Sequence, residues 1–214
     1  MKNTVFLGIS MLLLGHFLNA QDFSYPKGVY MSFEEILQKK PSNLASLEII
    51  KRSNTDIKMS GGNDYKLRSN DKLITNKDIR KDFWGYSKGD TLFINCFQYE
   101  IQQGYTPLLS DGKYLVVTAG LSSNPDMQEY QLQNKKLLGA SFGPVVGGIQ
   151  GAKLAMLRFI YLIDKETKSV KTVSPDYLKA LLVREQDLLA AYQKEEEPEN
   201  PGIIMKYLLL NNKN

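Results

Sequence analysis

The hydrophobic period of this chain changes once, at Ser174-Pro175-Asp176, and that switch limits the folds open to it. Ahead of it, short apolar-rich runs alternate with polar side chains and are separated by Gly, Asp, Asn and Ser. A two-residue period of this kind belongs to strands joined by tight turns. Behind it, Leu178, Leu181 and Leu182 recur at spacings of three and four, and a second helical stretch runs from Glu185 through Leu188, Leu189 and Tyr192. Ser174 is placed to cap, Pro175 suits the first helical position, and Asp176 complements the positive helix end. Asn200-Pro201 opens a last helix through Leu210. Strands first and helices last predict an α+β fold. The expectation is an antiparallel sheet of hairpins followed by two to three C-terminal helices, with residues 21–173 and 174–214 as the β and helical portions of one domain.

Within the β portion, Gly28–Met31 reads as an extended run. Ser32 and Glu35 match the capping box S-x-x-E, and the short helix they start must stop before Pro41. Leu47–Lys51 and Tyr65–Arg68 read as paired strands, and Ser53–Asn63, ending in Gly61-Gly62, as the polar loop between them. Phe83–Tyr86 and Thr91–Asn95 form a hairpin around Ser87–Asp90. Tyr105–Leu109 leads through the turn Ser110-Asp111-Gly112 into a β-branched strand, Lys113–Thr118. Residues 121–136 read as polar and turn-rich. Leu154–Ile163 is a long apolar run interrupted by Arg158, and Val170–Val173 is a returning edge strand whose lysine discourages aggregation.

Charge and rare residues exclude several chemistries. The formal net charge is +4 at pH 7, with basic residues spread over both halves. That is no concentrated patch for a phosphate backbone, so nucleic acid is not an expected partner. Met1-Lys2, the apolar run Val5–Leu14 and Ala20 match a secretory signal, residues 1–20, cut before Gln21. No cysteine follows that run, so the expectation is an exported protein of the periplasm or envelope that is not a lipoprotein. Cys96 is the only cysteine, so no disulfide forms within the chain, and its apolar neighbours suggest a buried thiol. His16 is the only histidine and lies inside the signal. Histidine triads, histidine bases and histidine metal sites are thereby excluded from the processed chain. No cofactor or metal site is expected, and an enzyme is not the favoured reading.

The segment LLGASFGPVVGGIQGA, residues 137–152, is uncharged and places Gly139, Gly143, Gly147 and Gly151 four apart. On a helix this register lines small residues along one face, where another backbone can approach. As a lone helix in water it is penalised by about 1 kcal/mol per glycine and about 3 for Pro144. As a span it reaches only about 24 Å, against a hydrocarbon core of about 30 Å. Lys135, Lys136, Lys153 and Arg158 flank it and could reach headgroups. Three readings stay open: a loop, a helix packed within the fold or an oligomer, and a membrane-active segment.

Three segments, GVYMSFEEILQKKPS, DIRKDFWGYSKGDTLFIN and SPDYLKALLVREQDLLAAY, resemble a family of exported Bacteroidota proteins of unknown function. In such proteins a Gly/Ala-rich apolar segment often precedes a strand resembling MLRFIYLID. The resemblance spans most of residues 28–210 and implies no catalytic residue.

Three functions follow as expectations. The first is a non-enzymatic, envelope-associated protein whose glycine face Gly139, Gly143, Gly147, Gly151 contacts itself or membrane lipid. The second is a soluble periplasmic module binding a peptide, glycan or lipid, with Trp84 and Tyr86 as candidate stacking aromatics. Core packing is the commoner role for such side chains. The third is a carboxylate-based hydrolase drawing on Asp90, Glu100 and Asp111, with no pair marked by spacing.

Overall fold

The computed structural model of the chain describes residues 24–134 and 150–213. Most of the glycine segment, including Gly139, Gly143 and Gly147, and the signal region lie outside the described residues. Among the described residues nine strands form one mostly antiparallel sheet, accompanied by helices that include a C-terminal group, so the fold is α+β as expected.

The main path of the sheet is β1 (Gly28–Tyr30), β4 (Gly85–Ser87), β5 (Leu92–Asn95), β6 (Tyr105–Asp111), β7 (Tyr114–Ala119), β8 (Phe159–Asp164) and β9 (Val170–Thr172), each hydrogen-bonded to the next. Off this path, β2 (Leu47–Lys51) pairs along its length with β3 (Tyr65–Ser69), and β3 touches β6 through the single register pair Tyr65↔Tyr105.

Alternation along the strands sorts side chains into opposed cores. Leu115, Val117 and Ala119 of β7, with Phe159, Tyr161 and Ile163 of β8, join Tyr30, Phe33, Ile36, Leu92 and Ile94 on one face. Val116, Ile160 and Leu162 point the other way, into the C-terminal helices. Both faces of β7 and β8 are therefore buried, which explains why these strands read as unbroken apolar runs. On the face opposite the first core, the β2–β3 hairpin covers the β1–β4–β5 half, burying Val29, Leu67, Phe83, Tyr86 and Tyr105 beneath it.

The helices form where caps are supplied. In α1 (Phe33–Gln38) the Ser32 hydroxyl accepts from Glu35 N–H at 3.2 Å. The Glu35 carboxylate reaches back to Met31 N–H (2.8 Å), one residue before the cap, and also to Ser42 N–H (3.2 Å). The reciprocal capping box instead belongs to α3 (Asn76–Lys81), between Thr75 and Asp78. Two stretches read as loops are helical. Residues 54–60 form α2 (Asn54–Ser60), capped by Ser53, and residues 125–133 form α4 (Pro125–Gln133), capped by Asn124. Each buries one side chain, Ile57 or Gln131, so neither displays an apolar stripe. The apolar run after the glycine segment divides into α5 (Gln150–Ala155) and β8. Arg158, at the break, does not stand free to snorkel. It pairs with Asp64 at 2.6 Å and donates to the carbonyls of Ala155 (2.9 Å) and Leu157 (2.6 Å).

The C-terminal layer is α6 (Pro175–Leu182), α7 (Gln186–Gln193) and α8 (Pro201–Asn211). It is pinned to the β6–β7 turn by Asn212, whose buried amide accepts from Tyr114 N–H (2.8 Å) and donates to Ser110 Oγ (2.8 Å) and Tyr114 O (2.9 Å). No helix among the described residues is long and apolar enough to cross a membrane.

Candidate binding cleft at the fork of the sheet

One edge of β6 is shared between two strands. Its later residues pair with β7, as in Leu108↔Val117, whereas Tyr105 at its start meets Tyr65 of β3. The sheet thus forks, and Asn63 sits in the crotch, fully buried. Its Nδ2 donates to Gln102 O and, at 3.3 Å, to Gln103 O, and its Oδ1 accepts from Gly120 N–H at 2.7 Å. The side chain stands in for the strand–strand hydrogen bonds that the divergence removes. Its backbone N–H donates to Gln103 O at 2.8 Å. Gly104 completes the junction at φ +108, and a Cβ there would fall 3.0 Å from Tyr65 O. Only glycine meets both demands.

From Gly120 a buried polar relay continues: Tyr161 Oη donates to Gly120 O (2.5 Å), Gln131 Nε2 donates to Tyr161 Oη (2.7 Å) and to Thr172 Oγ1 (2.8 Å). The fork is therefore tied to α4 and β9 through satisfied polar groups, an arrangement that specifies one geometry.

A cleft of about 670 Å³ opens at this fork, lined among others by Arg52, Tyr65, Lys66, Leu67, Arg80 and Phe97. Its walls are held firmly. Arg52 bonds Asp56 (2.8 Å), Gly61 O (2.7 Å) and Asn63 O (3.1 Å). The Arg52 guanidinium also holds the Asp56 carboxyl below the usual carboxylate range. Asn95, buried below the opposite wall, donates to Arg80 O (3.0 Å) and Phe83 O (2.6 Å) at the end of α3, and Tyr105 Oη donates to Ile79 O. Arg52 is thus occupied structurally. Lys66 and Arg80 are exposed, and neither has an ion-pair partner among the described residues. Phe97 keeps 40% of its surface exposed.

The candidate stacking aromatics lie elsewhere and apart from each other. Tyr86 is fully buried in the core beneath β2–β3, and its hydroxyl accepts from Leu47 N–H at 3.0 Å. Trp84 is half-buried, edge-on to Tyr99 (5.6 Å between centroids) and tilted against Phe33 (6.1 Å). It lines a second, smaller cleft of about 370 Å³ with Tyr99, Glu100, Met127, Lys168 and Val170. Gly151 lies exposed on α5, where an added Cβ would meet nothing within 4 Å.

The three candidate acids are not brought together. Asp90 is exposed on the β4–β5 turn, and Glu100 lines the smaller cleft and accepts from Asn124 Nδ2 (2.9 Å). Asp111 is buried against Lys39 (2.8 Å) and Lys165 (2.5 Å), joining α1 to the β8–β9 turn. No group of His, Cys, Asp and Glu suited to a metal ion occurs among the described residues. Cys96 is buried at the end of β5, and burial pushes its thiol well above the ordinary range, away from nucleophile chemistry.

The sequence did not announce the larger cleft. Asn63, Gln102 and Gln103 lie in loops, and their bonds span 39 and 40 residues. The closest signal was the pairing of Gly-Asn at 62–63 with a second glycine at 104, residue types that tolerate positive φ.

The described residues build a forked antiparallel sheet backed by C-terminal helices, with an open cleft at the fork. A family model for a family of unknown function, DUF6563, matches residues 28–214. The chain belongs to that family. Comparison with curated proteins gave no match, and comparison with solved structures gave none.

Proposed function

We propose that this chain is a non-catalytic binding module of the Bacteroidota cell envelope, exported through its apolar N-terminus, with its ligand in the cleft at the sheet fork. The observation carrying this reading is the cleft itself. About 670 Å³ falls within the range of ligand sites, about 300–1,000 Å³. It combines an exposed aromatic, Phe97, with two exposed cations, Lys66 and Arg80, that have no ion-pair partner among the described residues. Its walls are locked by Asn63, Asn95 and Arg52, so little ordering cost attaches to binding. The test is a titration of uniformly 15N-labelled protein with muropeptides, anionic oligosaccharides and short peptides. Shifts confined to cleft residues, lost in Phe97→Ala and Arg80→Ala, are expected. Silence across all three classes at millimolar concentration overturns the reading.

Self-association or lipid contact through the glycine face is a second reading. It draws support from Gly151, the one member of that face among the described residues, which is exposed with open space at its Cβ. Gly143→Leu combined with Gly147→Leu should abolish oligomers or liposome binding. A monomer that floats with no liposome refutes it.

A further inference from the structure

The fork leaves hydrogen-bonding groups of β3 unused, and their placement specifies a kind of ligand. Arg52 N–H donates to Asp64 O at 2.8 Å, so these residues face each other as a hydrogen-bonded pair at the end of the β2–β3 ladder. In an antiparallel ladder such pairs alternate with non-bonded ones. Continuing the register, Ile50↔Lys66 and Glu48↔Arg68 are the bonded pairs, and Lys51↔Tyr65, Ile49↔Leu67 and Leu47↔Ser69 are not. The N–H and C=O groups of Tyr65, Leu67 and Ser69 therefore point away from β2. Tyr65 meets Tyr105, and there the pairing with β6 ends. Beyond it, Leu67 and Ser69 have no partner strand on that edge among the described residues. Leu67 lines the cleft at the rim of the core beneath the hairpin, with 6% of its surface exposed.

A strand edge without a partner recruits an extended segment of another chain. The charge around it selects which. Of the ionisable side chains lining the cleft, Asp56 is held by Arg52 and also feels the charge of Lys66, while neither Lys66 nor Arg80 has an ion-pair partner among the described residues. We propose that the cleft binds an extended acidic peptide, which adds to β3 as a strand alongside Leu67 and Ser69 and places carboxylates against Lys66 and Arg80. This rests on the reading of the cleft as a binding site and names its ligand class. The alternation of a strand puts every second side chain on one face, so acidic residues at alternate positions suit the site best.

The test uses the full processed chain and a blocked hexapeptide alternating Glu and Val, with its Gln/Val counterpart and an oligogalacturonate as controls. At saturating Glu/Val peptide, amide exchange at Leu67 and Ser69 should slow by at least about tenfold. Lys66 and Arg68, already bonded to β2, should not change. The Gln/Val peptide, and Lys66→Ala with Arg80→Ala, should each weaken binding about tenfold or more. Cleft shifts without slower exchange at Leu67 and Ser69 overturn the strand-addition proposal while leaving the cleft reading intact. Binding of oligogalacturonate alone does the same. Slow exchange at both amides that appears without peptide and grows with protein concentration assigns the edge to a second copy and also overturns it. Silence from every probe, including the wider panel, removes both readings.

Discussion

Replacing Asn63 tests whether one side chain holds the fork open. Asn63→Ala removes the acceptor for Gly120 N–H (2.7 Å) and the donor to Gln102 O and Gln103 O. Leaving a buried N–H without a partner costs about 1–3 kcal/mol, and loss of the bonds to two partly solvated carbonyls about 0.5–1.5 more. The sum, about 1.5–4.5 kcal/mol, is a large share of a domain stability of about 5–15. At about 2–4 °C per kcal/mol for a chain of this size, a mid-range loss of about 3 kcal/mol should lower Tm by roughly 6–12 °C. Urea unfolding should show a lower midpoint with an unchanged slope. Asn63→Asp sharpens the test. A carboxylate still accepts from Gly120 but offers no proton to the two carbonyls, so at neutral pH it should be worse than alanine. Burial and the facing carbonyls raise the folded-state pKa of the new acid above its unfolded value, about 3.9. Its penalty is therefore absent below the unfolded value and grows as pH rises to the folded one. Stability of Asn63→Asp relative to Asn63→Ala should recover on acidification. A loss below about 1 kcal/mol for alanine, or a pH-independent difference between the variants, would refute the role given to this side chain.

Gly112→Ala should detach the C-terminal helices, because a Cβ there falls 1.5 Å from Asn212 O; loss of cooperative unfolding or a Tm drop larger than that of Asn63→Ala checks this. Cys96, buried at the end of β5 with its thiol pushed up by burial, should resist thiol reagents in the folded state and react at the rate of unfolding, as timed labelling would show. The Thr75 N–H, donating to Asp78 at 2.7 Å, holds that carboxyl below the usual range. The stabilisation it confers is fully present above the unfolded carboxylate value, about 3.9, and lost as pH falls through the lowered one. Carbon-detected titration should find Asp78 below free aspartate, and Asp78→Asn should remove its share of the acid transition.

The paired strands were legible because their signals are local. Lys113–Thr118 is β-branched and aromatic, and Ser87–Asp90 and Ser110–Gly112 are turn residues between alternating runs. The C-terminal helices were legible because Leu178 and Leu182 face a core at helical spacing. Helix α4 opens on Asn124-Pro125-Asp126, the same cap signature as Ser174-Pro175-Asp176, yet reads as loop because the residue it buries is Gln131. A hydrophobic period cannot report a helix anchored by hydrogen bonds. Residues 54–60 hid in the same way behind the single buried Ile57. The fork was invisible for a different reason. It is a relation among Asn63, Gln103 and Gly120 that arises only after three separate hairpins have formed, and no window of sequence contains it. Trp84 and Tyr86 drew attention as aromatics two residues apart, a spacing that shares one face within a strand, but β4 begins only at Gly85, so Trp84 lies ahead of it and the two serve different cores.

Residue-resolved hydrogen exchange of the free protein tests the forked sheet most directly. Along β3, the amides of Lys66 and Arg68 should be protected by their bonds to β2, and those of Leu67 and Ser69 should exchange faster by about two orders of magnitude. Asn63→Ala should raise exchange at Gly120 as well. Equal and strong protection at all four β3 amides in dilute monomer would mean that the outer edge is already covered, and the cleft would lose its open strand.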